Sequence, residues 1–157
     1  MKKIRVTELL LFIVGTELVG ALSSLLSGNF SAVIDSLNKP PLVPPAILFP
    51  IVWVILYALM GFSAYLVYVS EKNDDTRKSS LILYFVQLFV NFMWSIVFFR
   101  WKLINAAVAV IILLALLILI MIIRFRKSNP LAGYINIPYL IWVFFAAYLN
   151  IGFAVLN

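Results

Sequence analysis

The chain has 157 residues, of which 65% are hydrophobic and 11% charged, with a net charge of +6 and a mean hydropathy of +1.12. A soluble domain of this length is about half apolar and about a quarter charged, and so short a chain has too much surface to hide the excess from water, so most of it must face lipid. The absence of cysteine and histidine excludes disulfide frameworks, thiolate nucleophiles, the usual proton shuttle and the commonest metal ligands, and the basic residues are spread among short loops instead of forming the face that a nucleic-acid reader needs.

A hydrocarbon core needs about 20 apolar residues per helix. Five stretches meet that length, at about 6–27, 46–69, 81–99, 104–123 and 133–156, which predicts an all-α bundle of five transmembrane helices in one unit. The first span begins with Lys2 and Lys3 and so has the outline of a signal peptide, but Glu17 interrupts its apolar core, and it is read as a retained helix. Intramembrane acids are functional by default. Glu17 has no basic partner at comparable depth in the sequence, however, and a protonated Glu17 bonded to a neighbouring helix fits equally well. Gly15, Gly20, Ala21, Ser23, Ser24 and Gly28 supply small residues for close helix contact.

The connection 28–45 is the only one long enough to hold structure. Residues 29–38 are predicted to form a short amphipathic helix with Ser31 as N-cap. Pro40, Pro41, Pro44 and Pro45 follow; proline fixes φ and donates no backbone hydrogen bond, so they form a stiff cap and not a helix interior. Pro50 fits only the first turn of the next span or a kink. Within that second span Phe49, Trp53, Tyr57 and Gly61 recur every four residues. The third span puts Gln87, Asn91, Trp94 and Ser95 on one face, and the fifth does so with Tyr139, Trp142, Ala146 and Asn150. If these faces converge, they line a cavity of flat apolar walls with a few hydrogen-bonding groups. The same amides also serve as interhelical glue, and for Gln87 and Asn91 the two uses are evenly matched. Trp101, between Arg100 and Lys102, reads as part of the interfacial aromatic belt.

Charge predicts orientation. Lys2, Lys3, Arg5, Lys72, Arg77, Lys78, Arg124, Arg126 and Lys127 lie on one side, and Lys39, Arg100 and Lys102 on the other. Nine against three places the N-terminus in the cytoplasm and the C-terminus outside a cell membrane, with the proline-rich cap on the outer face.

Three motifs in order carry a resemblance. They are Leu37-x-Lys39-Pro40-Pro41-x-x-Pro44-Pro45 followed by Trp53-x-x-x-Tyr57-x-x-Met60-Gly61; Gln87-Leu88-x-x-Asn91-x-x-Trp94-Ser95-x-x-Phe98-Phe99; and Pro138-Tyr139-Leu140-x-Trp142-x-x-Phe145-Ala146-x-x-Leu149-Asn150. The chain resembles the TspO/MBR family, the tryptophan-rich sensory and translocator (peripheral benzodiazepine receptor) proteins, over nearly its whole length. The resemblance implies one TspO/MBR-like transmembrane domain over 1–157, commonly a homodimer, whose pocket binds porphyrins such as protoporphyrin IX or haem. It implies ligand-binding roles for Trp53, Tyr57, Asn91, Trp94, Trp142, Ala146 and Asn150 under a lid at Lys39, Pro40, Pro41, Pro44 and Pro45. Trp53 and Trp142 would stack on the ligand, and Asn91 and Asn150 would anchor its polar substituents.

Three positions in and before the lid depart from the family pattern. Val33-Ile34 stand where a Trp-Tyr pair is usual, and Leu42 stands where a tryptophan is common. The animal sterol motif is also missing, with Ile151 and Val155 in its place. The leading expectation is a membrane receptor or sensor for porphyrin-like ligands that requires neither metal nor cofactor. A porphyrin transporter is an alternative, although five spans give no pair of equal halves. Light-dependent porphyrin degradation, with Trp53 and Trp142 as photochemical partners, is another.

Overall fold

The computed structural model describes residues 4–157; Lys2 and Lys3 of the charge count lie outside them. The described residues form helices and their connections, with no strand, and five of the helical segments are long and apolar enough to cross a membrane. In chain order the helices are α1 (Val6–Ser27), α2 (Phe30–Asp35), α3 (Leu48–Ser70), α4 (Asp74–Ser95, continuing as a π-helical turn Ile96–Arg100), α5 (Ile104–Ser128), α6 (Pro130–Tyr134) and α7 (Ile137–Leu156). The protein is a multi-pass membrane bundle.

Helix ends differ from the sequence reading where polar side chains extend them. Asn73 Oδ1 accepts from the Thr76 N–H at 2.9 Å, so α4 starts at Asp74 instead of 81, with Asp74 and Asp75 in the first turn favouring the helix dipole. Helix α5 runs on to Ser128 because Arg126 and Lys127 suit a C-terminal turn. The last span is interrupted. Pro138 has no N–H for the Tyr134 carbonyl, so the chain breaks into α6 and α7 at Ile135 and Asn136. In the first connection the N-cap of α2 is Asn29, whose Oδ1 accepts from the Ala32 N–H at 3.1 Å, and not Ser31. Pro50 lies in the first turn of α3.

Packing inverts the soluble pattern. The buried stripe of α1 is Thr16, Gly20, Ser23 and Ser27, while Leu11, Leu18, Leu22 and Leu25 face outward. Lipid is as apolar as leucine, so small residues that admit close backbone approach, not hydrophobic ones, form the interface. Gly61 on α3 shows why: a Cβ there would lie 2.6 Å from the Phe12 carbonyl oxygen and 2.7 Å from Ile13 Cα. The Thr16 hydroxyl bonds that of Tyr84, joining α1 to α4. Met60, Ile111, Leu114, Ile118, Met121, Phe125 and Phe153 fill the centre between α3, α5 and α7.

At the bundle end remote from the proline-rich first connection, Ser128 Oγ–H donates to Glu71 Oε2 at 2.5 Å and Asn129 Nδ2–H to Ser70 Oγ at 2.9 Å. The Asn73 N–H also donates to Glu71 Oε1 at 3.0 Å. Helix α3 is thereby clasped to the α5–α6 junction. The Ser128 bond, then the Asn73 one, holds the Glu71 carboxyl below its usual range.

Candidate functional site

Helices α1 and α3 touch at Gly61 and separate toward the proline-rich end. A cavity of about 540 Å³ opens between them and the end of α4, under α2 and residues 46–50. Phe30 roofs it: its ring centroid is 4.7 Å from Phe49 on α3 and 4.8 Å from Phe99 in the π-helical turn. Trp53, Tyr57 and Trp94 line the interior with Phe49 and Phe99, and α1 contributes Glu17 and serines 23, 24 and 27. The Trp53 and Trp94 rings lie 6.4 Å apart.

The π-helical turn helps to shape this wall. Its Trp101 N–H reaches back five residues to the Ile96 carbonyl at 2.9 Å, and the wider turn buries both Phe98 and Phe99. Phe99 faces the cavity, while Phe98 meets Phe153 of α7 at 5.9 Å. Such single wide turns recur at functional sites, and the hydrophobic period of α4 gives no sign of it.

The aromatic-plus-amide faces of α3, α4 and α7 do converge, but they satisfy one another. Tyr57 Oη–H donates to Asn91 Oδ1 at 2.9 Å, and Asn91 Nδ2–H donates to Tyr139 Oη at 2.7 Å. Tyr139 Oη–H then donates to Gln87 Oε1 at 2.9 Å. Nearer the proline-rich end Trp94 Nε1–H donates to Asn150 Oδ1 at 3.0 Å, and Asn150 Nδ2–H to the Ile104 carbonyl at 3.1 Å. Gln87 and Asn91 have no exposed surface, and Asn150 has 1%.

Of the seven residues singled out from sequence, Trp53, Tyr57 and Trp94 therefore line the cavity. Asn91 and Asn150 stand behind it as partners of Tyr57 and Trp94. Trp142 and Ala146 lie on α7 outside the lining; Trp142 packs on Phe49 at 5.8 Å and on Phe145 at 5.5 Å, with its buried Nε1–H unbonded. The expected cavity between the second, third and fifth spans is displaced toward the first. The physical reason is size: large complementary faces fill their own space, whereas the small side chains of α1 leave some empty. Sequence reasoning had no reason to single out Phe30 and treated the α1 serines only as packing residues.

The proline segment is latched to the end of α7. The Asn38 N–H donates to Asn157 Oδ1 at 2.9 Å, and Asn157 Nδ2–H returns a bond to the Asn38 carbonyl at 3.1 Å. Tyr148 Oη–H donates to the Pro41 carbonyl at 2.9 Å, and buried Pro40 sits against Gly152. Lys39 pairs with Asp35 at 2.7 Å. Leu42 turns the chain at φ 67°, in the left-handed region, with its side chain 78% exposed. Lys39, Pro40, Pro41, Pro44 and Pro45 thus cross from α2 to α7 and back to α3 without lining the cavity; α2 and residues 46–50 roof it. Val33 and Ile34 are the buried face of α2.

A sequence profile of the TspO/MBR family matches residues 10–156. The chain belongs to the TspO/MBR family. Among curated members, this TspO/MBR chain is 36% identical over 116 residues to the tryptophan-rich sensory protein of Cereibacter sphaeroides, covering 74% of this chain and 71% of that one. It is 34% identical to Protein CrtK of Rhodobacter capsulatus over 116 residues, 74% of this chain and 72% of the relative. Against the human translocator protein the identity is 33% over 116 residues, 73% of this chain and 68% of that one. The chain is thus similar both to a member named as a sensory protein and to one named as a translocator protein.

Proposed function

We propose that this TspO/MBR protein is an intramembrane receptor for flat hydrophobic ligands of the tetrapyrrole type, such as protoporphyrin IX or haem. The observation that carries this reading is the aromatic cavity of about 540 Å³ beneath α2 and residues 46–50. Its volume falls in the range of small-molecule sites, roughly 300–1,000 Å³, and apolar walls with a few polar groups are the usual lining. Trp53 and Trp94 line the cavity and supply aromatic rings against which a planar ligand can pack. Asn91 and Asn150 hold Tyr57 and Trp94 in place, and Tyr57 with the α1 serines supplies polar anchors. The proline segment, latched to α7, braces the roof formed by α2 and residues 46–50 on the outer face of a homodimer in the cell membrane, with the N-terminus in the cytoplasm.

Titration of the purified protein with protoporphyrin IX should quench tryptophan fluorescence saturably, and Trp53→Phe should remove a large part of that quenching. A linear, non-saturating response in the wild type would refute the receptor reading. The ring contacts of Trp53 with Trp94 and with Tyr139, at 6.4 and 6.2 Å, favour a second reading in which bound porphyrin is degraded under light with oxygen as oxidant. Illuminated wild type and Trp53→Phe losing porphyrin absorbance at the same rate would exclude Trp53 from that chemistry.

A further inference from the structure

The cavity has two chemically different walls. On α3 and α4 it is mainly aromatic; on α1 it is polar, with Glu17 and serines 23, 24 and 27 set among small residues. Glu17 lines it, and among the described residues that carboxyl takes part in no ion pair. Its polar neighbours are the Ala58 backbone and the Tyr57 hydroxyl of α3. No lysine or arginine lines the cavity, so a bound ligand meets an acid without a protein counter-charge. The hydroxyl protons of Ser23 and Ser27, the two buried serines of that wall, are already donated within the protein. Ser23 Oγ–H donates to the Phe92 carbonyl at 3.3 Å, and Ser27 Oγ–H to the Ser23 carbonyl at 2.7 Å. What Ser23 and Ser27 can still offer a ligand is oxygen lone pairs, and the exposed Ser24 hydroxyl can accept as well. The other walls carry Trp53 and Trp94, and an aromatic lining also suits a cation. An uncompensated acid inside a span is costly unless something pairs with it.

We propose that Glu17 and the α1 serine oxygens form an acceptor subsite, so that the cavity takes flat apolar molecules carrying a basic or N–H-donating nitrogen and binds them nitrogen-first toward α1. Acidic substituents of such a ligand remain at the rim, away from Glu17. This inference rests on the receptor reading above and adds to it the polarity and orientation of the ligand.

Three planar compounds of similar shape separate the possibilities: proflavine, which is cationic; acridine, which is neutral; and acridine carboxylate, which is anionic. Binding is read by tryptophan quenching in nanodiscs of zwitterionic lipid, which removes attraction of the cation to headgroups. Wild type should bind proflavine at least about tenfold more tightly than acridine, since a hydrogen bond to a charged group is stronger than a neutral one. Acridine carboxylate should bind more weakly than acridine. Glu17→Gln keeps the shape and loses the charge; it should bring all three affinities within about threefold of one another, leaving acridine unchanged. An independent readout in the wild type is the infrared carboxyl band, which should shift toward carboxylate on adding proflavine and not on adding acridine. An order of affinities that survives Glu17→Gln, or a carboxyl band blind to proflavine, overturns the subsite while leaving the receptor reading intact. Failure of all three compounds to bind wild type overturns both.

Discussion

Gly152→Ala tests whether the proline segment is held by α7 or merely rests on it. A Cβ at position 152 would lie 2.5 Å from Pro40 Cβ and 2.8 Å from Pro40 Cγ. Ordinary contact needs more than an ångström beyond the first of these distances. The pyrrolidine ring has no alternative rotamer into which it can retreat, and α7 is fixed by its packing on α5, so the lid must move. Overpacking of this kind costs about 1–3 kcal/mol. Displacing Pro40 also strains the adjacent Tyr148–Pro41 and Asn38–Asn157 bonds. Within α7 itself the substitution is favourable by up to about 1 kcal/mol, because alanine is the better helix former, so global stability should change little while the latch loosens. The Asn38 amide reports the latch directly, because its N–H is donated to Asn157. A latch weakened by about 1–3 kcal/mol should exchange that amide roughly 5- to 150-fold faster. Hydrogen exchange of the 36–39 segment, compared with an α5 segment as internal control, measures this. Unchanged exchange at Asn38 in Gly152→Ala would refute the latch, and a matching rise in α5 would show general loosening instead.

Asn91→Leu should unfold more easily in detergent titrations by about 1–2 kcal/mol, because it leaves the Tyr57 and Tyr139 hydroxyls without their shared partner; an unchanged midpoint would show that the amide contributes nothing to holding α3, α4 and α7 together. Glu71 titrates below its usual range in the folded protein, so its contribution to stability is complete above the unfolded carboxylate value of about 4.3 and is lost as pH falls through the lower folded value. Glu71→Gln and Ser128→Ala should both flatten the pH dependence of thermal stability in that acidic window, and a slope identical to wild type in both variants would refute the clasp.

The spans were legible because lipid makes composition decisive: a segment of sufficient length and apolarity has one use. The amide faces at Gln87, Asn91 and Asn150 were legible too, since helical spacing puts them on the same side as the aromatics. Their partners were not. Whether Asn91 meets a ligand or Tyr57 depends on how far apart α3, α4 and α7 stand, and no local pattern encodes that distance. The N-cap of α2 was misplaced for a related reason: Asn29 and Ser31 both suit a cap, and only the chain direction on leaving Gly28 selects between them. The π-helical turn was invisible because its extra residue changes the phase of one turn only.

By itself, then, the sequence determined the solvent, the number of crossings, the family and the residue types available for a site. These follow from composition and from motifs that each lie within one helix or its adjoining loop. Tertiary structure decided where empty space remains. The large complementary faces of α3, α4 and α7 close on each other, and the small residues of α1 do not fill their side. The cavity therefore lies against Glu17 and the α1 serines. A void is a difference between volumes contributed by several helices, and it exists only once they are packed together.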